Sequence, residues 1–562
     1  MVAKLKRVYV EILLVLAGYL LYSACFKTTS VVIRSDGKGY YDYLPAVFIH
    51  KDLSFGFRAE QNTNHNVEYN GHVINKYPCG LAVLWTPFFG VAHLYYKMKS
   101  DAGMQGGYGR GYQLMISVAA MFYLLLGLIY LRKLLEHFTK KIKLIRTIQI
   151  ILLFATNLFL FAYYDPAFSH VYSFSLITVF FYTWIQLARS GQKKYMYLLG
   201  ILFALIILIR PFNALVVLFL PFLSGGIKPF INDIKIFFIV HGKHVWFSVV
   251  IFFIIVSVQP IIWHLQCGQL LPWTYSNETF HFMQPVLFKT LFGFKKGLFI
   301  YVPVLLLTGF IFIKLVNDKK PALLMTLAGA LLIVHYTIAS WQTWWYGGSF
   351  GLRPYIDFYS IFAVMGIVAF DSVRSSLKVM ALAFTGCCLF LNVFQSWQYT
   401  RGIISEETMT YKGYKTVFLK TGEKYRGYLQ YRAFAEEKEK LWVKETIPLL
   451  QTDTLLSPGK WRSFFTGTQE YKPGGAYCFV MEMEVSEKLF PKMYFQYERN
   501  DIALVYQEAV FFHLTGGATG RQAVKYYFEM PAKKFENGRF RVGFLELNEP
   551  VKIHSVVLQK LD

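Results

Sequence analysis

The sequence predicts an all-α polytopic membrane domain of about eleven spans followed by a C-terminal extracytoplasmic β-rich, sandwich-like domain. Three observations carry this. The 562-residue chain is 55% hydrophobic, 18% aromatic and only 16% charged, which excludes disorder and argues against a soluble globular protein. Eleven apolar runs recur through residues 8–396. From about residue 460 the pattern changes to short segments of period-two alternation with Gly, Pro and Asn breaks, the signature of antiparallel strands. The expected organisation is a transmembrane domain over 1–399, a linker or helical segment over 400–455 and a β-domain over 456–562.

The apolar runs cover 8–26, 112–131, 147–163, 168–188, 196–209, 212–223, 245–264, 298–314, 322–340, 355–371 and 378–396. A helical span needs about 20 apolar residues. The first run follows the basic Lys4-Leu-Lys-Arg7 and no small-residue cleavage pattern follows it, so it reads as a retained helix. The short runs on either side of Arg210-Pro211 read as a broken pair, because Pro removes a backbone donor. Five loops are strongly basic: 132–146, 189–194, 228–243, 314–320 and 374–378. Placing them in the cytoplasm, with the N-terminus, leaves 27–111, 164–167, 210–211, 265–297, 341–354 and the C-terminal region outside. The location this implies is an inner membrane.

The formal charge of +24 is spread over span ends and the C-terminal region, with no nucleic-acid-binding motif. It therefore reads as topology signalling and attraction to anionic membrane lipids, with no nucleic acid partner. Six cysteines show no metal spacing; Cys79 and Cys267 are the pair that a bridge between outer loops would use. The large first outer loop holds Tyr77-Pro-Cys-Gly-Leu-Ala-Val-Leu-Trp-Thr-Pro-Phe-Phe89, which reads as an interfacial helix.

With that orientation the polar clusters fall on one side. Asp36, in Ser35-Asp-Gly-Lys-Gly-Tyr-Tyr-Asp-Tyr-Leu-Pro45, lies just beyond the first span beside Gly37 and Gly39. It is either a general base taking the proton of an attacking hydroxyl or a loop carboxylate capping the following segment. Asp42 competes for the same cleft. Asp165 precedes Pro166 in a turn, and His170 follows just inside the next span. Together these two could bind a divalent cation, but two candidate ligands do not establish a metal site, and the cofactor stays open. Arg210 and Arg353, the latter after Gly347-Gly-Ser-Phe-Gly351, are placed to clamp a lipid phosphate with planar guanidinium forks; Arg210 is equally placed to snorkel. Lys295 and Lys296 are either phosphate ligands or headgroup anchors. Trp341, Trp344, Trp345 and Tyr346 form either an interfacial aromatic belt or a wall on which a sugar stacks. No hydrolase, zinc-protease or nucleotide-binding string is present. A transferase with its polar site outside and no nucleotide fold needs a donor such as a lipid-linked sugar.

The Asp36-Gly-Lys-Gly-Tyr-Tyr-Asp-Tyr-Leu-Pro45 string, the Tyr77-Pro-Cys-Gly run, Arg210-Pro211 and Trp344-Trp-Tyr-Gly-Gly-Ser-Phe-Gly-Leu-Arg353-Pro-Tyr-Ile-Asp357 resemble bacterial, Bacteroidetes-type members of the GT-C superfamily of integral-membrane glycosyltransferases over residues 1–400. The resemblance implies a polyprenyl-phosphate sugar donor, a glycan, lipid or protein hydroxyl as acceptor and inverting transfer. It also implies Asp36 as base, Arg210 and Arg353 on the lipid phosphate, and Tyr40 and Tyr41 among the substrate-binding residues. Asp36 is followed by Gly37 rather than Glu, and Trp345 by Tyr346 rather than Asp, so neither protein O-mannosyltransferases nor oligosaccharyltransferases supply the acceptor class. The competing readings are a flippase for lipid-linked glycans and a membrane scaffold with a glycan-binding β-domain.

Overall fold

The computed structural model describes residues 8–562 except 27, 59–65, 100–101, 276–277, 371–374, 468–471, 487–490, 500–501, 516–517 and 531–538. Lys4, Lys6, Arg7 and Arg374, used for orientation, lie outside the described residues. The chain divides into two compact units, Met1–Thr400 and Arg401–Asp562.

In the first unit all eleven apolar runs carry helix, but they are not eleven uniform spans. Among the described residues six helices are long and apolar enough to cross a membrane: Gln105–Leu135, His170–Ser190, Ile227–Cys267, Pro321–Ala339, Arg353–Phe370 and Leu377–Thr400. Shorter apolar helices cover Tyr9–Cys25, Pro211–Leu223 and Pro303–Asn317. The shortfall has local causes. The 147–163 run is two helices, Ile142–Phe154 and Leu158–Tyr163, separated by a break at Ala155–Asn157. Asn157 sits in that break, donating to the Phe350 carbonyl at 3.0 Å and accepting from the Tyr359 hydroxyl. Helix Lys193–Ile209 stops at Arg210, whose backbone is extended (φ −151°, ψ 109°) because Pro211 follows. After Pro303 the chain runs as 3₁₀ helix to Gly309 before becoming α-helical.

The basic 228–243 segment, expected as a loop, is helical. It belongs to Ile227–Cys267, which at about 1.5 Å per residue rises roughly 60 Å, about twice a hydrocarbon core. Its backbone kinks at His241 (φ −130°, ψ 25°). Within 27–111 the run expected as an interfacial helix is helical, Gly80–Lys99, with Trp85 buried. Ahead of it β1 (Asn66–Tyr69) and β2 (His72–Asn75) form a hairpin closed by Asn70-Gly71, both at positive φ.

Glu11, completely buried in the first helix, accepts from Arg132 Nε at 2.8 Å and from Arg146. Arg132 also holds Glu136 at 2.7 Å. A buried carboxylate persists only when paired, and removing one partner leaves uncompensated charge. Glu11→Ala is therefore expected to cost about 3 kcal/mol and to lower the thermal unfolding midpoint of the detergent-solubilised protein, whereas Tyr9→Ala, at an exposed position, should leave it within error.

The second unit is a two-sheet antiparallel sandwich. Its strands are β3 (Val443–Leu450), β4 (Thr454–Leu456), β5 (Gly459–Gly467), β6 (Ala476–Val485), β7 (Lys492–Arg499), β8 (Ile502–Val510), β9 (Gly520–Glu529), β10 (Arg539–Leu547) and β11 (Val551–Leu561). One sheet has the order β5-β10-β7-β8; the other is β3-β11-β6-β9, with β4 also pairing β11. Alternate residues of β6 (Tyr477, Phe479, Met481 and Met483) face the inter-sheet core, where Phe495 and Phe528 stack across the sheets at 4.1 Å. Helix Tyr428–Lys438 covers the other face through Ala435 against Cys478, Tyr527 and Leu561. Two expectations are corrected. Strand β3 lies inside the segment expected as linker, paired to β11. The strand expected at 509–514 is β8, ending at Val510 and followed by helix Phe511–Thr515, because Val510 lies opposite Lys492, where its partner β7 begins. All six cysteines are free, so Cys79 and Cys267 form no bridge.

Candidate active site

A cavity of about 380 Å³ lies in the first unit where several helix ends and loops meet. Asp36 and Tyr40 come from the short helix Asp36–Tyr41 that follows the first apolar helix. Lys76, Tyr77 and Pro78 come from the chain leaving the hairpin. His170 starts helix His170–Ser190, Arg210 ends Lys193–Ile209, and Arg353 opens Arg353–Phe358.

The Asp36 helix is held from two sides. Asn75, buried, donates to the Gly39 carbonyl at 2.7 Å. Gly37 packs on the 165–170 turn so closely that a Cβ there would lie 2.4 Å from Ala167 Cβ and 2.9 Å from Ala167 O. The lack of a side chain at Gly37 thus admits a neighbouring backbone. Gly37→Ala is expected to destabilise by about 1–3 kcal/mol through overpacking and to displace Asp36. The double variant Gly37→Ala/Ala167→Gly should regain part of the lost thermal stability, and its failure to do so would remove the contact as the cause.

Asp36 Oδ2 lies 2.6 Å from Arg353 Nη1. Burial alone would raise the carboxyl group, but Arg353 and the Tyr77 hydroxyl outweigh it and hold Asp36 below the usual carboxylate range. A depressed folded-state value means that the stability contributed by the pair is full above about pH 4. It is lost as pH falls through the folded value, so Asp36 is a carboxylate throughout the neutral range. Burial raises the Tyr77 and Tyr275 phenols further, so both stay protonated as donors.

Asp357 organises a second cluster. Its Oδ1 is 2.7 Å from His170 Nδ1 and its Oδ2 is 3.3 Å from Arg210 Nη1. His170 Nδ1 is also 3.1 Å from Arg210 Nη1. One ring nitrogen cannot donate to the carboxylate and accept from the guanidinium, so the shorter carboxylate bond assigns the proton to Nδ1 and leaves Nε2 as the acceptor. At the cavity rim Lys76 pairs with Glu278 at 2.6 Å, its ammonium 4.7 Å from the centre of the Tyr275 ring.

The aromatic wall is built by two loops. Phe280 and Trp341 form an antiparallel bridge, extended by Gln342 N to Thr279 O at 3.0 Å and His281 N to Ser340 O at 2.6 Å. Trp341 packs edge-on to Tyr275 at 5.2 Å and Phe280 at 4.7 Å. Tyr346 lines the cavity with a positive φ of 56°, and Ser35, just before Asp36, has φ 49°. Non-glycine residues reach this region at a cost of about 1–3 kcal/mol and gather where surrounding structure over-determines a site.

Of the residues singled out from sequence, Asp36, Tyr40, His170, Arg210, Trp341, Tyr346 and Arg353 line this cavity. The others lie elsewhere. Tyr41 is fully buried, donating to Gly107 O at 2.6 Å, and Asp42 accepts from the Tyr108 hydroxyl. Asp165 binds Arg34 at 2.8 Å whereas His170 binds Asp357; among the described residues no group of three or more His, Cys, Asp or Glu is placed to hold a metal. Trp345 carries the Lys295 ammonium 3.5 Å from its ring centre, with Trp344 edge-on at 6.0 Å. Lys296 is buried on the Ser349 carbonyl and hydroxyl. These last four brace the 341–353 loop rather than lining the cavity. Sequence reasoning missed Arg34, Lys76, Glu278 and the organising role of Asp357. For Asp357 a signal existed: it stands four residues after Arg353, the spacing of neighbours on a helix.

No family model and no curated protein matches this chain. Among solved structures it is similar to the archaeal oligosaccharyltransferase AglB from Archaeoglobus fulgidus, in complex with an inhibitory peptide and a dolichol-phosphate. That match has 10% identity and a TM-score of 0.42, covering 71% of this chain and 56% of that one. It is also similar to the arabinosyltransferase EmbB from Mycobacterium smegmatis, at 10% identity and a TM-score of 0.35, covering 99% of this chain and 64% of that one. The chain thus spans less than two thirds of either protein.

Proposed function

We propose that this chain is a GT-C-like membrane glycosyltransferase of a bacterial inner membrane, moving a sugar from a polyprenyl-phosphate donor to a glycan, lipid or protein hydroxyl at the outer face. The observation that carries the reading is the Asp36 carboxylate and two guanidiniums, Arg210 and Arg353, converging on one aromatic-walled cavity at helix ends, where the other lining carboxylate, Glu278, is paired with Lys76. In the reaction the acceptor oxygen attacks the anomeric carbon and passes its proton to Asp36. The bond from that carbon to the phosphate oxygen breaks, with inversion, and the departing lipid phosphate takes both electrons. Arg210 and Arg353 stabilise the charge that develops there. Tyr346 and Trp341 border the sugar.

The Asp36–Arg353 pair adds a step to this reading. A carboxylate held low is a weak base. A donor phosphate that draws Arg353 away from Asp36 leaves the carboxylate in a desolvated site without its counter-charge, which makes it more basic once donor is bound. The test is donor consumption by purified protein, given labelled polyprenyl-phosphate sugars and membrane extract, beside Asp36→Asn. Consumption by the wild type alone supports the reading. No turnover of any donor by folded protein would move the assignment to a flippase.

A further inference from the structure

A second cavity, of about 670 Å³, lies apart from the site described above. It runs along helix Ile142–Phe154, from Lys140, Lys141 and Lys143 at the start of that helix to Thr156 just past its end. At about 1.5 Å per residue that is roughly 20 Å of groove. Lys378, from helix Ser375–Thr400, reaches the same cavity. The walls are apolar, with Ile148, Leu305, Phe362 and Leu382 on four different segments. No carboxylate is among the described residues that line it. The three lysines at the start of the helix are exposed.

An apolar slot about 20 Å long with lysines gathered at one mouth matches one ligand geometry: an acyl chain along the slot and an anionic headgroup at the mouth. We infer that this groove is a binding site for an anionic glycerophospholipid of the leaflet on the basic side of the membrane, separate from the donor cavity. Charge complementarity selects the headgroup, because a zwitterionic lipid gains little from four ammonium groups. The length of the slot selects a chain-bearing lipid over free phosphate.

Gly366, on helix Tyr359–Phe370, gives a way to test the slot without touching the lysines. A Cβ there would meet only Ile148 Cδ1, at 3.8 Å, so a larger side chain enters the cavity without striking backbone. The experiment is native mass spectrometry of the full chain in detergent, titrated with phosphatidylglycerol or phosphatidylcholine of identical acyl chains. The wild type should bind phosphatidylglycerol at least tenfold more tightly. Each of Lys140→Gln, Lys143→Gln and Lys378→Gln should weaken it about fivefold. Gly366→Leu should reduce phosphatidylglycerol binding at least tenfold with all four lysines in place. Equal binding of the two lipids, or a preference that survives Gly366→Leu, overturns the proposal, since the lysines would then act as a diffuse surface charge. Displacement of phosphatidylglycerol by a polyprenyl phosphate at a tenth of its concentration also overturns it, because the groove would then belong to the donor lipid.

Discussion

Asp36→Asn is expected to lower donor turnover by about 10³-fold while leaving a folded, monodisperse protein, because a positioned general base contributes roughly 10²–10⁴-fold. Asn keeps the size and one acceptor oxygen, so the Gly37–Ala167 packing under it is undisturbed. What disappears is the proposed proton acceptor and the counter-charge to Arg353. With Arg353 no longer competed for, donor affinity should hold or rise while the catalytic rate falls. A loss confined to KM would make Asp36 a binding residue and end its assignment as base. Turnover at the wild-type rate would end the transferase reading of this cavity.

Arg353→Gln should produce the second largest effect, and its signature is a pH profile. In the wild type Asp36 is ionised well below neutrality, so kcat/KM, which reports the free enzyme, should be flat on the acid side between about pH 5 and 7. Removing the guanidinium leaves burial as the leading influence on Asp36, and burial raises it. An acid limb should then enter that window, with activity lost as pH falls through the new value. The rate at high pH should still fall by about 10²–10³-fold, the cost of one lost donor to a developing oxyanion. Arg353→Lys should restore the flat profile but not the rate, since an ammonium supplies the charge without the planar fork. A flat profile in Arg353→Gln would mean that the pair does not control Asp36.

The sequence revealed those parts of the site that depend on a residue's place along a helix. Arg210 before Pro211, Asp36 beyond the first apolar run and Arg353 opening a later one are positions at helix ends, and helix ends are what bring the cavity lining together. The parts that escaped depend on direction. Tyr40 and Tyr41 are adjacent, yet one lines the cavity and the other binds Gly107, because successive residues on a helix point about 100° apart. Trp341, Trp344, Trp345 and Tyr346 read alike as a belt or a wall, but only Trp341 and Tyr346, the latter at positive φ, line the cavity. Pairings between distant segments, such as Lys76 with Glu278, have no local signal at all. For the fold, apolar runs located the helices but not their breaks, because Asn157 interrupts a run for a hydrogen bond to a loop almost two hundred residues on. Alternation found the sandwich, yet β3 was lost in a charge-rich stretch whose outer face is exposed.

The buried Glu11 has a bearing on how the protein is made. Its two arginine partners are 121 and 135 residues further along the chain. At a synthesis rate of roughly 5–20 residues per second, the second partner emerges between about 7 and 27 s after Glu11 itself. Until Arg132 emerges, 121 residues on, the helix carries a carboxylate with no counter-ion, and until Arg146 follows it has only one of its two partners, so it cannot settle at its final depth. It leaves the ribosome well before the helices that carry its partners and is among the later ones to lock. An early helix held at the insertion machinery until the segment through Arg146 arrives is the order of assembly this contact imposes.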